Sequence, residues 1–220
     1  MAYILNLETA TTNCSVSLSY KGETLILKED NSANYSHAES LHVFITDVLK
    51  EAGIDKSKLD AISISKGPGS YTGLRIGVSA AKGLCFALDI PLISVSTLKS
   101  LASQLNIEKG CIIPMLDARR MEVYSAIFDA DLKVLRNIEA QILDASSFQE
   151  VLSKGPVYFI GNGVEKTKTL ISHDNAFFID DKLPSAQQMS IIGYEKFKIN
   201  DFEDVAYFEP FYLKDFLMKT

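Results

Sequence analysis

Three parts of the chain hold residue types that could do chemistry. In Lys66-Gly67-Pro68-Gly69-Ser70-Tyr71-Thr72-Gly73-Leu74-Arg75-Ile76-Gly77, a strand pattern passes into a helix pattern through a glycine-rich turn. Such a corner can hold an anion, because the first amides of a helix have no acceptor within it. The stretch lacks the Gly-Lys-Ser/Thr ending of a P-loop and the Gly-x-Gly-x-x-Gly spacing of a dinucleotide fingerprint, so an anion corner and a plain tight turn both stay open. The second part is a pair of strand ends, Leu7-Glu8-Thr9-Ala10 and Leu116-Asp117-Ala118-Arg119, which echo each other. Were the two equivalent, Glu8 and Asp117 could hold a hydrated magnesium ion under a phosphate chain, or each could simply end its strand. Thr9, Thr11 and Thr12 could offer hydroxyls to phosphate, or serve as ordinary turn residues. Arg119 and Arg120 could meet a phosphate or a carboxylate, or be a solvated turn. The third part is Gly161-Asn162-Gly163, a ligand loop or a turn between a strand and a helix.

Other chemistries lack residues. His37, His42 and His173 include no pair at a spacing of three or four, and His37 and His42 fall on different faces of a helix, so a metal site is not expected. No Gly-x-Ser-x-Gly elbow is present, and no catalytic residue is assigned. The net charge of −6 over 220 residues argues against autonomous nucleic-acid binding. Cys14, Cys85 and Cys111 read as reduced thiols of a cytoplasmic protein. No signal peptide or membrane span is expected, since the start of the chain has no basic stretch and the apolar run from Leu84 to Val95 is broken by Asp89 and Pro91.

The elements that must position these residues follow from periodicity. Tyr3 to Leu7, the strict alternation of Cys14 to Tyr20, and Thr24 to Lys28 predict an antiparallel three-strand meander. Ser36-His37-Ala38-Glu39 predicts a capping box for a helix ending near Gly53. Ala61 to Ser65 predicts a strand, Thr72 to Leu88 a helix, Pro91 to Val95 a strand, and Ser96 a cap for a third helix. The second half repeats the order, with strands at Cys111 to Leu116, Glu122 to Phe128 and Leu132 to Leu143. Ser146 to Ser153 then reads as helix, Val157 to Ile160 as strand, Val164 to Ile171 as helix, Phe177 to Ile179 as strand and Ser185 to Phe197 as helix. Two similar α/β lobes with mixed sheets are therefore expected, residues 1–104 and 105–220. The helix after the glycine turn is apolar nearly all round, with Gly73, Gly77, Ser79 and Gly83 interspersed and only Arg75 and Lys82 charged. With the first helix it forms either a patch for a partner or a face that other helices cover.

Leu5-Asn6-Leu7-Glu8-Thr9-Ala10-Thr11, the Gly67 to Gly77 stretch and Asp117-Ala118-Arg119-Arg120-Met121-Glu122-Val123-Tyr124 together resemble the TsaB (YeaZ) family. This is the dimerisation subunit of the bacterial complex that makes threonylcarbamoyladenosine beside the tRNA anticodon. The resemblance implies an actin-like, sugar-kinase-like (ASKHA) fold of two ribonuclease-H-like lobes. It also implies a non-catalytic role, because Thr97 and Leu101 stand where the catalytic paralogue TsaD has a metal-binding His-x-x-x-His. The implied partners are TsaD, a TsaE-type ATPase and, as an alternative, a second copy of the chain; tRNA is met only through the complex. The implied interface consists of Ser40, Leu41, Phe44, Val48, Gly73, Leu74, Gly77, Val78, Ala81 and Leu84. ATP or ADP and magnesium would belong to the complex, with Glu8, Thr9, Thr11, Asp117, Gly161 and Gly163 as the candidate nucleotide contacts. The rival reading is an ATPase or small-molecule kinase of the same fold, and a metal-dependent peptidase is disfavoured.

Overall fold

The computed structural model describes residues 2–31 and 37–214. Ser36, and with it the predicted capping box, lies outside them. The chain opens with the expected meander, β1 (Tyr3–Glu8), β2 (Cys14–Tyr20) and β3 (Glu23–Asp30). It continues through α1 (His37–Ala52), β4 (Ala61–Ser65), α2 (Tyr71–Leu88), β5 (Leu92–Val95) and α3 (Thr97–Ala102). The order then recurs as β6 (Cys111–Asp117), β7 (Glu122–Asp129), β8 (Val134–Ile142), α4 (Gln149–Leu152), β9 (Val157–Ile160), α5 (Val164–Lys168), β10 (Ala176–Ile179) and α6 (Ala186–Lys198).

The two sheets have one plan. The first runs β3-β2-β1-β4-β5 and the second β8-β7-β6-β9-β10. In each, the meander pairs antiparallel and the last two strands add in parallel. The parallel additions need crossovers, and α1 and α2 in one sheet, α4 and α5 in the other, supply them.

The chain forms two compact units, 1–100 with 184–220, and 101–183. This differs from the predicted halves 1–104 and 105–220: the C-terminal segment returns to the first unit. In that unit, Leu5, Leu7, Val16, Leu18, Ile62 and Ile64 pack against Leu41, Ile45 and Val48 of α1 and Val78, Ala81 and Cys85 of α2. The opposite face carries α6, whose Tyr194 and Phe197 cover Ile4, Ala61 and Ile93. Beside this apolar part lies a polar one. Asn6 Nδ2 donates to Ser17 and Ser19 (3.1 Å each), Ser17 Oγ donates to the Ala186 carbonyl (2.9 Å), and the Ala186 amide donates to Ser15 Oγ (2.9 Å). The alternation of β2 thus has both faces buried, the serines being covered through hydrogen bonds rather than exposed to water.

The second unit packs Ile113, Met115, Val123, Val157 and Phe159 against Phe148, Leu152, Val164 and Ile171. Its first helix is shorter than predicted because Phe148 adopts a left-handed backbone (φ 64°) and starts α4 late. All three cysteines are buried and free. Among the described residues no helix is long and apolar enough to cross a membrane.

Candidate functional site

The glycine turn is a joint between backbones. A Cβ on Gly69 would collide with the Ala10 carbonyl, one on Gly73 with the Thr9 carbonyl, and one on Gly77 with Thr9 Oγ1. The strand end at Thr9-Ala10 therefore lies directly on the start of α2, in space that only glycine leaves. The contact is also hydrogen-bonded. Ser70 N donates to the Ala10 carbonyl (2.7 Å), Thr9 Oγ1 donates to the Gly73 carbonyl (2.8 Å), and Ser70 Oγ caps the helix by accepting from Gly73 N (3.3 Å). Of the amides that might have held an anion, those of Ser70, Gly73 and Leu74 thus have partners within the chain. Thr97 stands on the other side of the turn: its hydroxyl accepts from Gly67 N (3.1 Å), and its amide donates to the Gly67 carbonyl (3.1 Å). Thr11 is buried, and its carbonyl meets His37 Nε2 at 2.6 Å.

Glu8 is fully buried at this joint. Its Oε1 accepts from Ala10 N and Ser65 Oγ, both at 2.7 Å, while its Oε2 has no hydrogen-bond partner among the described residues. Burial pushes its pKa up to about 7, against the lowering effect of the bonds from Ala10, Ser65 and Thr9.

Asp117 ends the equivalent strand of the second unit and is exposed. Lys166 Nζ, from α5, bonds to Asp117 Oδ1 (2.8 Å) and to the carbonyls of Arg120 (2.6 Å) and Glu122 (3.0 Å), tying the β6–β7 corner together. Arg119 and Arg120 both have left-handed backbones, φ 68° and 49°, and both are exposed. Gly161 and Gly163 are buried packing residues: a Cβ would strike the Met115 carbonyl at Gly161 and the Val123 side chain at Gly163. The exposed residue of that loop is Asn162, whose Oδ1 accepts from Asp117 N (2.9 Å). Glu8 and Asp117 are thus not two matching open carboxylates: one is enclosed, and the other already has a cation. Among the described residues, no three His, Cys, Asp or Glu side chains gather as a metal site.

The helix pair presents a surface, but not through the residues expected. Leu41, Val48, Gly73, Leu74, Gly77, Val78 and Ala81 are buried within their own unit, because the strongest apolar stripe of each helix faces its own sheet. Ser40 and Phe44 are half-buried. Of the ten, Leu84 lines the groove that lies between the helices on their outer side. Its other walls are Ala38 and His42 of α1 and Arg75, Ile76, Ser79, Ala80 and Gly83 of α2. Exposed Val43 (54%) and Phe86 (86%) lie on the same two helices. The signal for this outer face was the row Ile76, Ala80 and Leu84 at a spacing of four, with the small residues Ser79 and Gly83 beside it.

Residues 31–215 match the family model described as TsaD, tRNA N6-adenosine threonylcarbamoyltransferase. The tRNA threonylcarbamoyladenosine biosynthesis protein TsaB of Bacillus subtilis is 29% identical over 219 residues, 96% of this chain and 93% of that one. TsaB of Escherichia coli is 28% identical over 220 residues, covering 96% and 94%. TsaB of Haemophilus influenzae is 36% identical over 124 residues, which span 55% of this chain and 51% of that protein. Among solved structures, YeaZ from Pseudomonas aeruginosa superposes with a TM-score of 0.84 at 26% identity, over 97% of this chain and 100% of that one. The ethanolamine utilization protein EutJ from Carboxydothermus hydrogenoformans shares the fold alone, with a TM-score of 0.51 at 11% identity over 87% and 90% of the two chains. The duplicated mixed sheets are those of the actin-like fold. With a family model matched along most of its length and TsaB and YeaZ proteins alike to it nearly end to end, this chain belongs to the TsaD family, on its TsaB (YeaZ) branch.

Proposed function

We propose that this chain takes part in tRNA threonylcarbamoyladenosine biosynthesis as a non-catalytic scaffold and activator. It docks a catalytic TsaD-type paralogue on the outer groove of α1 and α2, and it helps recruit a TsaE-type ATPase. Nucleotide, magnesium and tRNA belong, on this reading, to the assembled complex.

The observation that carries the proposal is Gly83. Gly73 and Gly77 of the same helix lack a Cβ because the chain itself fills the space, whereas a Cβ on Gly83 would meet nothing within 4 Å. A glycine inside a helix costs about 1 kcal/mol relative to alanine, and nothing in its own fold accounts for this one. A helix of another protein approaching closely along Ser79, Ala80 and Gly83 does account for it. The engaged amides of the glycine turn and the two unlike strand ends favour this role over a kinase or ATPase acting alone.

Reconstitution of tRNA modification from the catalytic paralogue, the ATPase and the adenylate-forming enzyme, with and without this chain, is the test. The modification should require the chain, and full activity in its absence would sink the proposal. Gly83→Leu should fold normally and lose the paralogue. Unchanged binding would remove the groove as the docking surface.

A further inference from the structure

We infer that Arg75 is the charged anchor of the docking groove and receives a carboxylate presented by the partner's helix. The inference rests on the docking proposal above and specifies the partner's chemistry.

Helix α2 has two cationic side chains, and they have different uses. Lys82 Nζ donates to the carbonyls of Ala206 (3.1 Å) and Phe208 (3.0 Å), so its charge serves the chain's own C-terminal segment. Arg75 is exposed on the groove wall, and the ion pairs found among the described residues all lie elsewhere. Its guanidinium is nevertheless held in place. It lies 5.3 Å from the centroid of the Tyr71 ring, donates through one Nη to the Tyr71 hydroxyl (2.9 Å), and Tyr71 in turn packs on Tyr212 with ring centroids 5.0 Å apart.

This rank makes Tyr212 a positioning residue that orders Arg75 before any partner arrives. One of the five guanidinium N–H groups is engaged by Tyr71, which leaves a fork free for a carboxylate. The groove around it is apolar at Ile76, Ala80 and Leu84. A partner helix seated there shuts out water, so a guanidinium left without a counter-charge would be costly and a carboxylate opposite it strongly preferred. Arg75 thereby selects among helices that would fit the small-residue surface by shape alone.

The test measures binding of the full chain to the TsaD-type paralogue by calorimetry, with thermal melting of each variant as the folding control. Arg75→Ala should weaken binding about tenfold or more and Arg75→Glu about a hundredfold, without change in melting. Arg75→Lys should fall between wild type and Arg75→Ala, because it keeps the charge and loses the fork. Tyr212→Leu should weaken binding by a smaller factor and make Arg75→Lys nearly neutral in that background. A reversed charge on the partner should rescue Arg75→Glu. If Arg75→Glu binds within about twofold of wild type while Gly83→Leu abolishes binding, docking stands and the anchor is overturned. If Gly83→Leu and Arg75→Glu both bind as wild type does, the docking proposal itself fails. If Arg75→Glu loses only self-association, the anchor to the paralogue is likewise overturned.

Discussion

Glu8 and Asp117 end equivalent central strands in two sheets of identical order, and the chain treats them in opposite ways. Around Glu8 the helix that follows the glycine turn is pressed onto the strand end, and the carboxyl is sealed inside with one oxygen bonded twice. Around Asp117 the following helix sends out Lys166, which holds an open corner by charge and by two carbonyls. Both corners exclude side chains, at Gly69, Gly73 and Gly77 in one and at Gly161 in the other, but the second is also held by a long side chain. Duplication therefore preserves the plan of a sheet while its corners become a rigid joint in one copy and an electrostatic clasp in the other. The joint is the corner from which α2, one wall of the proposed docking groove, starts.

The comparison is broken most directly by substituting its glycines. Gly73→Ala drives a methyl group into a backbone carbonyl that cannot move away, and it should cost about 3 kcal/mol in urea denaturation. Gly163→Ala meets a Val123 methyl group that can shift and should cost only about 1 kcal/mol. Equal losses would mean that the two corners are built alike.

The acids come next. Burial raises the Glu8 pKa from 4.5 to about 7, so the folded chain holds this proton where the unfolded chain has lost it. Stability contributed by neutral Glu8 is present in full below about pH 4.5 and is lost as pH rises through about 7, a change of about 3 kcal/mol. Glu8→Gln should abolish that dependence, and denaturation midpoints at pH 5.5 and 8 should then nearly coincide. A variant with the wild-type slope would show that the carboxyl is not the group being titrated. Lys166→Met removes three bonds from the second corner and should cost about 1–2 kcal/mol. Asp117→Asn disturbs a partly solvated pair and should cost under about 1 kcal/mol at pH 7, shrinking further in high salt.

Most of the fold was legible because its signals are local. The alternation of β2, the short apolar run Ala61–Ser65 and the wide apolar band of α2 each specify an element without reference to distant residues. Assignment of α6 to a sheet was not legible: its pattern predicts a helix but does not say which sheet it covers. The alternation of Ser15, Ser17 and Ser19 gives a strand but not the burial of its serine face, since a buried hydroxyl and an exposed one are the same residue until the covering helix is seen. The corners misled for a related reason. Glycine beside a strand end can admit a ligand or admit the chain's own backbone, and spacing does not separate the two. On α1 and α2 the most buried apolar residues pointed inward, so selecting a docking face by hydrophobicity mostly selected the core, while the outer groove is lined by Ile76, Ala80 and Leu84 with the small residues Ser79 and Gly83.

The return of the chain to its first sheet has a consequence for synthesis. The strands that α6 covers are made first, but the helix emerges only after the whole of the second unit. Until then the nascent first lobe has one face without its lid. Much of that face is hydroxyl and carboxamide, Ser15, Ser17, Ser19 and Asn6, which water can satisfy while the face stays open. A row of serines under a late helix lets an unfinished lobe wait on the ribosome without becoming sticky, and its hydrogen bonds then set the one alignment in which the helix closes.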